Sequence, residues 1–127
     1  KYMEVDWNGG ALRLDAAGSV ECLYEDCSTA DQAYAIRHLS DEPLAPVAQP
    51  LCLSAGWAGR LPAVYVECLR DQTVSPDMQR QMQQKRSFRD VLSLDSGHSP
   101  FFSQPRQLAA LLESAAEHTK TSGLPFM

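Results

Sequence analysis

The sequence has no apolar run long enough to cross a membrane and no excess of positive charge. Of its 127 residues, 44% are hydrophobic and 21% are charged, and the formal net charge is -5. Its lysines and arginines are scattered, whereas a nucleic-acid or anionic-membrane surface gathers them on one face. A membrane-spanning helix needs about 20 apolar residues in a row. We therefore expect one globular domain, with neither nucleic acid nor membrane as a partner.

Patterns that hold metals or form disulfides are also missing. The four cysteines are Cys22, Cys27, Cys52 and Cys68, and none is spaced as C-x-x-C or combined with histidine at zinc spacing. We expect no metal site and no redox dithiol. Residues 1–6 lack the apolar stretch of a secretory signal peptide, and free thiols suit a reducing compartment. We therefore predict a cytoplasmic location.

The first third of the chain predicts a hairpin and short helices. Apolar and polar residues alternate on both sides of Asn8-Gly9-Gly10, a pattern typical of a β-hairpin. Residues 20–27 carry an apolar stripe at helical spacing, with Asp15 placed to cap that helix. Residues 28–31 resemble a capping box for a second helix. Three prolines at 43, 46 and 50 then predict that no regular helix crosses this stretch.

After about residue 56, the sequence predicts a β-α-β-α unit. Ala63–Val66 is almost continuously apolar, as in a strand buried on both faces. Ser75-Pro76 is typical of a helix start, residues 91–94 of a second strand, and Pro105 of the start of a last helix. The predicted class is α/β with parallel strands. Two strands cannot bury a sheet alone, so we expect further strands from elsewhere.

Two residues with acid–base chemistry follow the two predicted strands. Asp71 comes after the first strand and His98 after the second. The carboxyl ends of parallel strands meet at one edge, where functional clefts form. A carboxylate beside an imidazole can orient it as a general base. The alternative is that Asp71 is a turn residue and His98 part of a plain loop; Asp95, near His98, is better suited to shaping that loop.

The nucleophile of such a system is not evident. No G-x-S-x-G motif occurs in the sequence, although α/β-hydrolases place their serine on that turn. Ser99 has glycine two positions before it but Phe101 two positions after it, and Ser54 lacks the leading glycine. Cys68 lies inside an apolar strand, where a thiol is a poor nucleophile. We therefore predict two of three catalytic groups here.

Several segments together resemble one family. Residues 64–71, 78–82 and 97–105 are similar to the plant-type methylesterase and hydroxynitrile-lyase branch of the α/β-hydrolases, with its bacterial esterase relatives. Residues 24–28 and 43–46 resemble the cap of that branch. The resemblance implies a mostly parallel sheet under a cap and ester hydrolysis without a cofactor. It implies Asp71 as the triad acid and His98 as the triad base.

The resemblance further implies that the chain is the C-terminal portion of such an enzyme. Residues 1–55 would form the cap (lid) module, and residues 56–127 the C-terminal βαβα part of the core. The nucleophile and the oxyanion hole would precede residue 1. Ser99 stands where cyanohydrin-cleaving members carry lysine, which favours an esterase over a hydroxynitrile lyase; a lactonase is a further alternative.

Substrate and partners follow as expectations. Trp57, Phe101 and Phe102 could line a pocket for a small-molecule ester, with packing in the core as the alternative for each. The expected macromolecular partner is the N-terminal part of the same hydrolase or a second copy. The competing hypothesis is a truncated, non-catalytic chain that binds a small molecule or a partner protein through its cap and open sheet edge.

Overall fold

The computed structural model of the protein describes residues 3–52 and 62–120, with side chains to residue 117. Its elements in chain order are β1 Met3–Asp6, β2 Ala11–Leu14, α1 Ala16–Leu23, α2 Thr29–His38, β3 Glu42–Pro43, α3 Leu44–Ala48, β4 Val64–Cys68, α4 Pro76–Gln84, β5 Asp90–Leu94, α5 Pro100–Ser103 and α6 Pro105–Lys120. The predicted mixture of helices with a parallel strand pair is confirmed. The proposed boundary between residues 55 and 56 lies outside the described residues and stays a prediction.

The predicted hairpin is present and carries a third short strand. β1 and β2 pair antiparallel with Val5 opposite Leu12, and Gly10 adopts a φ of 65° in the turn. That positive φ is easy for glycine, which has no Cβ. β3 pairs with the other edge of β2. The pattern of the sequence did not predict β3 because a two-residue strand carries no alternation.

Both predicted caps of the first helices are confirmed. The Asp15 carboxylate accepts a hydrogen bond from the Gly18 N–H of α1 at 2.8 Å, and Ser28 Oγ accepts one from the Asp31 N–H of α2 at 3.1 Å. α1 ends at Leu23, earlier than its apolar stripe predicted, and Cys27 lies buried in the turn between the helices. Residues 24–27 connect the two helices, since Ser28 is already the N-cap of α2.

The expectation that prolines prevent a helix after Pro43 was wrong. α3 forms a single turn over Leu44–Ala48, preceded by Pro43 and containing Pro46. A proline in the first turn of a helix removes an N–H that has no partner within the helix. This short helix therefore accommodates Pro46 without losing a hydrogen bond.

β4 and β5 form the predicted parallel pair, and α4 connects them. Their register runs from Val64 opposite Asp90 to Cys68 opposite Leu94. Ser75 caps α4, and Pro76 is its first residue, as predicted. The expectation that β4 is buried on both faces was wrong for the described residues, because Glu67 alone in this strand is buried. β5 is the only strand that pairs with β4 within residues 3–52 and 62–120.

Among the described residues, more polar than hydrophobic side chains are buried. The buried polar residues are Ser19, Glu67, Asp71, Gln79, Ser96 and Ser99, whereas the buried apolar ones are Leu12, Cys27, Ala35 and Leu94. Large apolar side chains, including Met78, Met82, Val91, Phe101 and Leu112, are exposed. No helix in the described part of the chain combines the length and apolarity needed to cross a membrane.

Candidate active site

The structure brings Asp71 and His98 together at the carboxyl ends of the two parallel strands. Asp71 follows β4, and His98 follows β5. The His98 Nδ1 lies 2.9 Å from Asp71 Oδ2 and 3.1 Å from Oδ1. Asp71 is 7% exposed, while a third of the His98 side chain remains accessible. A buried carboxylate thus faces a partly accessible imidazole.

Backbone amides hold the Asp71 carboxylate in place. Asp71 Oδ1 accepts hydrogen bonds from the N–H groups of Thr73 and Val74, both at 2.8 Å. These bonds fold residues 71–74 into a tight turn directly after the strand. A carboxylate oxygen that accepts two backbone N–H donors is held in a fixed position. Oδ2 is thereby directed at the imidazole.

The hydrogen bond to Asp71 also determines which nitrogen of His98 can do chemistry. When Nδ1 carries the proton and donates it to Asp71, Nε2 is the basic nitrogen. Within the described residues, His98 makes hydrogen bonds through Nδ1 alone. The arrangement can therefore accept a proton at Nε2 and return it.

The other residues considered from the sequence have different roles. The Asp95 carboxylate pairs with Arg70 Nε at 2.8 Å and is 75% exposed, so it does not compete for His98. Ser99 is 2% exposed and precedes α5, where its carbonyl accepts the Phe102 and Ser103 amides. Burial raises the pKa of the Cys68 thiol, which disfavours a thiolate there. Ser54 lies outside the described residues.

Contacts from the last turn of α1 and the segment after it reach the loops that carry Asp71 and His98. Asp26 Oδ2 accepts a hydrogen bond from the Gly97 N–H at 2.6 Å, next to His98. Thr73 Oγ1 donates to the Cys22 carbonyl at 2.6 Å, next to Asp71's turn. The sequence reasoning missed these contacts. An acidic residue in the cap-like segment at 24–28 was the available signal, but nothing in the sequence identified its partner.

A second carboxylate lies against the same loop. Both carboxylate oxygens of Glu25 are buried and have no hydrogen-bond partner in another described residue. Burial raises the pKa of Glu25, and the negative charges of Asp26 and Asp71 act in the same direction. The site therefore combines one paired carboxylate with one that resists ionisation.

Aromatic side chains surround the residues after His98. The Phe102 ring packs edge-on against Tyr24 and Tyr34, at centroid distances of 5.9 and 6.2 Å. Phe101 lies 5.1 Å from Phe102 and is 59% exposed. Phe102 is thus a packing residue between α5 and the first two helices, whereas Phe101 has an accessible face. Trp57 lies outside the described residues.

No group of three or more His, Cys, Asp and Glu side chains in the described part of the chain is arranged to hold a metal ion. The titratable groups near His98 are instead carboxylates, with the Arg70 guanidinium beside them. The Asp71–His98 pair has the arrangement that proton transfer requires.

Comparisons with known proteins identify the family of the chain. The family model described as the alpha/beta hydrolase family matches residues 5–111. The putative chloroplastic methylesterase 14 of Arabidopsis thaliana is 33% identical over 88 residues, which cover 68% of this chain and 25% of that protein. Methylesterase 17 of the same plant is 39% identical over 61 residues, 48% of this chain and 22% of its own length. The chain thus spans about a quarter of the length of these relatives.

Solved structures show the same fold. A methylesterase from Arabidopsis superposes with a TM-score of 0.78 at 19% identity, covering 93% of this chain and 53% of that one. A pyrethroid hydrolase from Sphingobium faniae gives 0.76 at 24% identity, with coverages of 91% and 47%. Polyneuridine aldehyde esterase gives 0.75 at 17% identity, with coverages of 84% and 43%. The chain belongs to the α/β-hydrolase family, and the curated relatives it resembles include plant methylesterases.

Proposed function

We propose that this chain supplies the acid and the base of a serine-type carboxylic-ester hydrolase. The observation that carries the proposal is the 2.9 Å contact between His98 Nδ1 and Asp71 Oδ2 at the carboxyl ends of neighbouring parallel strands. In this arrangement, Asp71 orients the imidazole and stabilises it when it becomes positively charged. His98 is then the general base.

The proposed reaction proceeds in two halves. His98 Nε2 takes the proton of a serine hydroxyl as the serine oxygen attacks the ester carbonyl. The tetrahedral intermediate collapses, and the alcohol leaves with the proton from Nε2. In the second half, Nε2 removes a proton from water as the water oxygen attacks the acyl-serine carbonyl. The second tetrahedral intermediate then releases the carboxylic acid, and the departing serine oxygen takes the proton back from Nε2. Asp71 remains ionised throughout.

The serine and the oxyanion hole are proposed to lie in an N-terminal part of the same enzyme. The sequence contains no G-x-S-x-G motif, and the chain spans about a quarter of its curated relatives. In the described residues, the parallel sheet has two strands, although parallel sheets are normally larger and covered on both faces. Residues 1–55 are proposed to act as the cap and residues 56–127 as the end of the core.

The proposed substrate is a small-molecule ester. Phe101, three residues after His98 in the sequence, is exposed and is proposed to contact the acyl or alcohol group, together with Trp57 and the edge of Phe102. Ser99 places no cation next to the base, which supports ester hydrolysis over cyanohydrin cleavage. No cofactor is required for this chemistry.

The deciding experiment combines mass analysis with an ester assay. Native and denaturing mass spectra of the purified protein should reveal a second polypeptide that carries the serine, and that complex should hydrolyse p-nitrophenyl acetate. His98→Ala in the complex should remove nearly all of this activity. A complex with His98→Ala that retains most of the rate would contradict the proposal.

If the chain occurs without such a partner, a different function is favoured. Because the sequence carries no nucleophile motif, a stable lone chain would instead bind a small molecule or a partner protein. A mass spectrum with this chain alone, together with no ester hydrolysis, would favour that alternative.

A further inference from the structure

We propose that Asp26 is a positioning residue that holds His98 in register with Asp71. The inference rests on the proposed function for its catalytic consequence, but its structural basis is independent of it. Asp26 lies in the turn between α1 and α2, and within the described residues it makes no hydrogen bond to His98. It acts through the backbone of Gly97.

The contact between Asp26 and Gly97 is short and enclosed. The Asp26 side chain is 9% exposed, and its Oδ2 accepts the Gly97 N–H at 2.6 Å across 71 residues of sequence. Hydrogen bonds to an ionised acceptor are about twice as strong as neutral ones. Arg70 Nη2, 3.9 Å from the same oxygen, adds positive charge beside it. The residue before the base is therefore fixed from the first part of the chain.

A second contact ties the same segment to the acid. Thr73 Oγ1 donates to the Cys22 carbonyl, and the Thr73 N–H donates to Asp71 Oδ1. The segment 22–26 thus reaches one residue beside the base and one residue that binds the acid. Its position determines how the Asp71 turn and the His98 loop face each other.

Gly97 makes this approach possible. A Cβ at this position would lie 2.8 Å from Asp26 Oδ1 and would collide with the Glu25 carboxylate. Such distances are too short for ordinary contacts, so any side chain at residue 97 would displace the two carboxylates. A small displacement matters because misplacing a catalytic group by about 1 Å can cost roughly 100-fold in rate.

The direct test measures the His98–Asp71 bond in this chain by NMR. The wild type should show a low-field Nδ1 proton signal, which Asp71→Asn should shift or remove and so assign to His98. Asp26→Ala should broaden or abolish the signal because the Gly97 N–H loses its acceptor. Glu25→Gln, which changes the neighbouring carboxylate without touching the Gly97 N–H, should keep it. An unaltered signal in folded Asp26→Ala overturns the proposal.

A milder variant keeps the test valid if Asp26→Ala does not fold. Asp26→Asn retains an oxygen acceptor but loses the charge, so the Gly97 amide hydrogen should exchange with solvent roughly tenfold faster. Unchanged exchange in Asp26→Asn overturns the proposal. Circular dichroism confirms that each variant is folded before it is compared.

The consequence for catalysis is measured separately in the complete enzyme. Asp26→Ala should lower kcat with little change in KM, and Asp26→Asn should recover part of the loss. A KM effect with kcat unchanged would contradict positioning of the base. A different result would separate the two proposals. If Asp26→Ala loses the NMR signal but His98→Ala keeps full activity in the complete enzyme, the proposed function is refuted while the positioning inference stands.

Discussion

The Nδ1 atom of His98 lies 2.9 Å from Oδ2 of Asp71, although 27 residues separate them in sequence. The contact exists because β4 and β5 are parallel neighbours in register, with Cys68 opposite Leu94. Both strands therefore end at the same edge, and the next residues meet there. The pairing of strands, rather than any local motif, makes these two side chains partners.

Replacing Asp71 tests the orienting role of the acid. Asp71→Asn can still accept the Thr73 and Val74 amides through its oxygen, so the turn should persist. It can no longer hold the imidazole as a carboxylate does, and kcat of the complete enzyme should fall by about four orders of magnitude. Stopped-flow or steady-state hydrolysis of p-nitrophenyl acetate measures the effect. Asp95→Asn, an exposed carboxylate in the neighbouring loop, is the control; equal rates for both variants would refute the assignment.

Gln79 is expected to be important for stability. It is 3% exposed, and its amide bonds the Cys68 N–H, the Cys68 carbonyl and the Val74 carbonyl. Gln79→Ala leaves these backbone groups without partners and should lower the free energy of unfolding by about 2–4 kcal/mol. Urea denaturation provides the measurement. Gln81→Ala, on the exposed side of the same helix, should have little effect on the free energy of unfolding. Similar losses in both variants would contradict a specific role of the buried Gln79 amide.

The buried Glu25 carboxyl makes stability depend on pH. Burial raises its pKa above the usual value of 4.5, so the folded chain resists its ionisation. Its contribution is fully present below the unfolded pKa and is lost as pH rises through the folded value. The melting temperature of Glu25→Gln should therefore exceed that of the wild type at pH 7, and the difference should shrink towards pH 4.

Thermal melts across this range test the prediction. The negative groups near Glu25 are Asp26 and Asp71, with His98 as the nearby potential cation. Glu113→Gln, which removes an exposed carboxylate on α6, serves as the control. A pH-independent difference between Glu25→Gln and the wild type would contradict the burial argument.

Cys27 and Cys52 should differ in the reactivity of their thiols. Burial raises the pKa of Cys27 to about 11 from 9.0, which lowers its thiolate fraction roughly 100-fold at neutral pH. Cys52 is exposed. Iodoacetamide at pH 8 should modify Cys52 first and leave Cys27 intact until the chain unfolds, as read by peptide mass analysis. Equal labelling rates would show that the turn after α1 opens readily.

Local features of the fold, such as helix caps and turns, could be predicted from the sequence alone. The Asp15 and Ser28 caps, the Asn8–Gly10 turn and the Ser75-Pro76 helix start depend on neighbouring residues, and all formed as predicted. The short helix over Leu44–Ala48 departs from the prediction because a proline in the first turn of a helix does not break it.

The hydrogen-bond partners of the polar groups depend on the tertiary structure. Whether His98 faces Asp71 or Asp95 depends on the register of β4 against β5, and the hydrogen bond from Gly97 to Asp26 joins residues 71 positions apart. Local propensity carries no information about such pairs, because their geometry arises only when distant segments pack. The sequence therefore predicted the Asp71–His98 pair, whereas the contact of Asp26 with Gly97 is visible only in the fold.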